Sequence, residues 1–167
     1  MVCAVSASLG ATACSSDSTA EPKVSTADAY SAAIRWYLDS VDPAATTGTP
    51  DTTDSGPLIV YVAPESGKAI NSQTQASVVR EMSDIAEVVT VRFADVRDDA
   101  LQSDVATLPV KDDGVLLLVG DVPDSQPPVD VQVAVYHDVD DTHTFVMRIM
   151  EAGESFRATE VSEVVQG

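Results

Sequence analysis

The chain has 167 residues, of which 27 are acidic and nine basic, for a formal net charge of −18. A surface so anionic repels phosphate backbones and acidic lipid headgroups, which argues against nucleic-acid binding and electrostatic adsorption to membranes. The length suits one domain, and a hydrophobic content of 44% supplies a core without disulfides or a structural metal.

Residues 1–14 hold no charged side chain and run through Val2, Ala4, Val5, Ala7, Leu9 and Ala11 to Ala13-Cys14. A polar tract from Ser15 follows. This start resembles the end of a bacterial lipoprotein signal peptide, in which small residues precede a cysteine that receives the lipid. It differs from that family in having Ala11 where leucine is favoured, and no basic residue before it. The resemblance implies acylation at Cys14, a leader over 1–14, a flexible tether over 15–24 and a single folded domain over 25–167. The only other cysteine, Cys3, lies in the leader, so the domain has no disulfide framework. No apolar run approaches the 18 or so residues that a membrane span needs, which leaves a lipid anchor as the only membrane contact.

Tyr30, Ala33, Ile34, Tyr37, Leu38 and Val41 recur at three-four spacing and predict an amphipathic helix over 25–41. Ser25 or Thr26 would cap it, and Asp42-Pro43 would end it. Residues 44–56 read as a surface loop, and Leu58–Val62 as a buried strand. A second helix is expected from Ser72, with Ser72 and Gln75 at capping-box spacing and a stripe of Val78, Val79, Met82, Ile85 and Ala86. Val88–Phe93 follows as a strand parallel to the first.

Residues 94–113 look irregular and acidic, and Val115–Val119, apolar on both faces, belongs in the middle of a sheet. Val129, Val131, Val133 and Val135 then alternate with other residues, a turn at 138–141 reverses the chain, and Phe145, Met147 and Ile149 share one side of the return strand. A last strand over 155–164 alternates poorly, with Phe156 on one side and Val161 and Val165 on the other. These elements predict an α+β fold: a mixed sheet of about six strands, with a β-α-β start, a C-terminal antiparallel meander and two helices on one face. Lys111-Asp112-Asp113-Gly114 before the Val115–Gly120 strand, with the later run Phe156-Arg157-Ala158-Thr159-Glu160-Val161, resembles a group of actinobacterial envelope proteins. That resemblance spans roughly residues 28 to 165 and implies no activity.

Four places invite a chemical reading. Ser66-Gly67-Lys68 sits between a strand and a helix, where phosphate loops occur, but Val62 and Ala69 stand where such a loop needs glycine and a hydroxyl. Ser66 as a nucleophile would need a neutral Lys68, and a lysine in a polar turn keeps its proton. His137, Asp138, Asp140 and His143 flank one turn and are the best candidates for a metal, although the pattern is not a calcium loop: His143 takes the glycine position and Ile149 that of the bidentate glutamate. Asp95, Asp98, Asp99, Asp112 and Asp113 form an acidic region beside Arg92 and Arg97, where ordinary ionised carboxylates are expected.

The functional expectation is a lipid-anchored or secreted envelope protein at the outer face of the cytoplasmic membrane. It would act as a non-catalytic binding domain, without a cofactor, for an envelope protein or a small ligand. Two alternatives stay open: a hydrolase or metal-dependent enzyme whose site is assembled only in three dimensions, and a cytosolic acidic interaction domain.

Overall fold

A computed structural model describes residues 22–40 and 57–164. The leader with Cys14, the tether up to residue 21, the helix end at Val41, the loop over 44–56 and Val165 lie outside the described residues.

Helix α1 (Thr26–Ser40) starts where the sequence indicates. Ser25 and Asp28 cap it reciprocally: the Asp28 amide donates to Ser25 Oγ at 3.2 Å, and the Ser25 amide donates to Asp28 Oδ2 at 2.9 Å. The stripe from Tyr30 to Leu38 is buried, and so are Ala29, Ser31 and Ala32, so the helix beds deeply into the core.

Strand β1 (Ile59–Pro64) leads to α2 (Ser72–Met82) and back to β2 (Glu87–Thr90), which pairs with β1 in parallel. The expected Ser72–Gln75 capping box is replaced by a cap one residue earlier. Asn71 Oδ1 accepts the Thr74 amide at 2.8 Å, while Gln75 turns its side chain to the Ile70 carbonyl. Asn71 in an extended conformation reaches the free donor of the third helical residue just as Ser72 would, and it gets there first. The helix also stops sooner than its apolar stripe, at Met82, whose carbonyl accepts both the Ile85 and Ala86 amides as the chain turns away. Val79, expected on the stripe, is exposed. Strand β2 ends at Thr90 rather than Phe93, because residues 93–95 wind into a short 3₁₀ turn that is continued by α3 (Val96–Asp99).

The region expected to be irregular therefore has structure. Its short turns and a single bridge, Leu101 to Val110, bring Val91, Ala100, Leu101 and Val110 down onto Tyr61, Ala63 and Leu116. This explains why β1 and β3 (Val115–Val119) are apolar on both faces. Val60, Val62, Val115, Leu117 and Val119 face α1 and α2, and their neighbours along each strand face the 91–110 segment.

β3 pairs in parallel with β1 and antiparallel with β4 (Val129–Tyr136), and β5 (Thr142–Ala152) and β6 (Ser155–Glu163) complete the meander. The sheet order is β2-β1-β3-β4-β5-β6. The poor alternation of the last strand has a local cause. Arg148 lies opposite Glu160, but the next residue, Ile149, lies opposite Ala158, so Thr159 is an extra residue in a β-bulge. The bulge resets the period, and Phe156, Ala158 and Val161 all pack against the core.

Candidate functional site

His137 and His143 flank the β4–β5 turn, but the structure does not bring them together. The His137 ring faces α1, with Nε2 3.4 Å from the Tyr37 hydroxyl. The His143 ring faces β6, with Nδ1 2.7 Å from Glu163 Oε1 and Nε2 3.2 Å from Asp141 Oδ1. Glu163 and then Asp141 raise the His143 pKa above 6.5 against the opposing effect of desolvation. Asp138 is committed to the turn: its Oδ1 accepts the amides of Asp140 and Asp141 at 2.8 and 2.9 Å. Among the described residues no three His, Cys, Asp or Glu are grouped as metal ligands.

The acidic region is likewise tied into the fold. Asp95 pairs with Arg92, Asp112 accepts the Tyr61 hydroxyl at 3.1 Å, and Lys111 donates to the carbonyls of Asp98 and Asp99. These contacts hold the cover of the second apolar cluster in place.

Ser66 and Lys68 lie elsewhere. Strands β1 and β3 run side by side, so their carboxyl ends, Pro64 and Val119, are partners in the ladder. The loops that leave them, 65–71 and 120–128, emerge at the same end of the sheet, and the Glu65 amide donates to the Val119 carbonyl at 2.8 Å. From β1 the chain crosses to β2 through α2 on one face. From β2 it returns to β3 through the 91–110 segment on the other. Such a reversal opens a crevice beyond the carboxyl ends of the strands, the common location of ligands in open α/β sheets.

Here the crevice holds about 210 Å³ between the two loops, the first turns of α1 and α2, and Pro64. Its outer rim is charged: Lys68 Nζ reaches Asp121 Oδ1 at 3.2 Å, with both side chains mostly exposed. Lys68 first, and then Ser66, hold the Asp121 carboxyl below its usual range by hydrogen bonding. Gly120 starts the second loop in a tight place, where a Cβ would lie 3.1 Å from the Gln132 carbonyl oxygen.

The inner wall is different. Tyr30 from α1 and Thr74 from α2 line it, only 2% and 9% exposed. Among the described residues neither hydroxyl has a hydrogen-bond partner. Every side-chain nitrogen or oxygen sealed from solvent there does have one, so both hydroxyls open on the crevice. Burial first, and then the charge of Asp121, push the Tyr30 phenol up to about 12.

Ser66 and Lys68 stand out in the sequence by their position between strand and helix, whereas Tyr30, Thr74 and Asp121 do not. A signal existed for two of them. Thr74 stands in the same helical row as Val78 and Met82, and a tyrosine on a core stripe must still place its hydroxyl. Comparison of the chain with protein-family models, with curated proteins and with solved structures finds no match.

Proposed function

We propose that this chain is a non-catalytic binding domain of the cell envelope, held by lipid at Cys14 and taking a small ligand in the crevice at the carboxyl ends of β1 and β3. The observation that carries the binding reading is the pair of nearly buried hydroxyls of Tyr30 and Thr74, which have no protein partner among the described residues and open on the crevice. Because both hydroxyls open on the crevice, water bonds them in the free protein, and a ligand that bonds them takes the place of that water.

The chemistry of the rim supports binding over catalysis. A serine nucleophile needs a general base within hydrogen-bonding reach. Ser66 has Asp121, whose carboxyl is held low and so makes a poor proton acceptor near neutral pH. The Lys68 ammonium is spent on the same carboxylate.

The tether is tested by phase partitioning in a cloud-point detergent, with the chain expressed behind its own upstream sequence. The native chain is expected in the detergent phase and the Cys14→Ser variant in the aqueous phase, as two acyl chains would dictate. Both chains in the aqueous phase would defeat the anchor.

A further inference from the structure

Resting on that reading of the crevice, we infer that its ligand is an uncharged polyhydroxyl compound of monosaccharide size. Charge narrows the choice first. Among the described residues, the ionic groups that line the wall are Lys68 and Asp121, which are 3.2 Å apart and offset each other, and the Glu65 carboxylate stands near Gly120. An anion entering the crevice meets Asp121 and the field of a chain with net charge −18. A cation must share Asp121 with an ammonium already on it, and two like charges that close repel.

Hydrogen-bonding capacity narrows it further. Tyr30 Oη and Thr74 Oγ1 can each donate and accept. A ligand carbonyl would use only the donors and a ligand ammonium only the acceptors. A ligand hydroxyl uses both roles at each position, and Ser66 and Asn71 add neutral polar groups nearby. Ile70 and Val122 on the same wall offer apolar surface to the C–H face of a ring. The volume agrees. About 210 Å³ holds about seven waters at roughly 30 Å³ each, less than the roughly 300 Å³ at which drug-sized pockets begin.

The test is a titration of the isotope-labelled full chain followed by amide chemical shifts, with D-glucose, N-acetylglucosamine and myo-inositol as probes and glycine and inorganic phosphate as charged controls. The expected result is saturable shifts at residues 66–74 and 120–122 with at least one polyol and with neither control. Tyr30→Phe and Thr74→Val should each weaken that binding by roughly three- to tenfold while keeping the native spectrum. The rim variant Asp121→Asn, at a mostly exposed position, gives a second check should either inner variant fold poorly, and it too should weaken binding. Shifts from glycine or phosphate with none from the polyols would overturn the ligand class and leave the binding crevice standing. Silence from all five compounds, or shifts scattered away from the crevice, would also overturn it. New product resonances during the titration would instead defeat the non-catalytic reading and leave the ligand class intact.

Discussion

Arg148 bonds Glu160 directly across the β5–β6 ladder, with Nη1 2.8 Å from Oε2, while its Nε and Nη2 grip Asp130 on β4 at 2.9 and 3.2 Å. One guanidinium thus spans three strands on the open face of the sheet. Such exposed pairs contribute little to stability, but opposite charges set face to face favour one register over its neighbours. The bulge begins at the very next residue, so the chain leaves the regular ladder just where Arg148 has pinned it.

Deleting Thr159 should be tolerated. It would leave Ala158 opposite Ile149 and Glu160 opposite Arg148 with regular alternation between them. Deleting Arg157 instead turns Phe156 from the core to solvent, at a cost of about 1.5–3 kcal/mol. Urea denaturation of the two deletants compares them. Equal destabilisation would show that Thr159 is not the residue that resets the period.

His143 should titrate above 6.5, and Glu163→Gln should bring its midpoint down, because the Glu163 contact is the largest cause of the shift. The folded-state pKa is raised, so the stabilisation linked to this proton is complete below about pH 6.5 and fades as pH rises through the folded value. Imidazole proton shifts followed against pH read the midpoint directly. A midpoint unmoved by Glu163→Gln would show that the pair does not form in solution.

Tyr30→Phe and Thr74→Val should leave the free protein as stable as before, within about 0.5 kcal/mol, or slightly more stable. Each removes a hydroxyl with no protein partner among the described residues and keeps the packing volume. Losses of 1 kcal/mol or more by chemical denaturation would mean that these hydroxyls serve the fold rather than a ligand.

Gly114→Ala should destabilise by about 1–3 kcal/mol. A Cβ at this position would lie 2.6 Å from the Ile59 carbonyl oxygen and 3.2 Å from that of Lys111, and both are backbone atoms that cannot turn aside. The entry to β3 would have to move away from β1. A denaturation midpoint unchanged by the substitution would show that the two strands approach less closely than described.

Most of the element order was legible because it is written in local periodicity. The three-four spacing of Tyr30 to Leu38 and the two-residue period of Val129 to Val135 depend only on neighbours along the chain, and both became elements with the expected face inward. The departures arose where two local signals competed. Asn71 and Ser72 are both good caps, and the fold uses Asn71, whose Oδ1 accepts the Thr74 amide. Residues 94–113 look like loop by composition, yet Leu101 and Val110 are drawn to an apolar sheet face that only the assembled strands present. The candidate site was less legible than the fold. Ser66 and Lys68 attract attention by their position between strand and helix, whereas Tyr30 and Thr74 sit on stripes that read as plain core.

The sequence by itself determined the two long helices, most of the strands with their apolar sides, and how acidic the chain is, since these are properties of composition and short-range order. The tertiary structure alone decided that His137 and His143 turn apart and that Tyr30, Thr74 and Asp121 meet in one crevice. The physical reason is that parallel pairing of β1 with β3 places two loops from distant parts of the chain at the same end of the sheet, and no periodicity along a segment records which other segment will lie beside it.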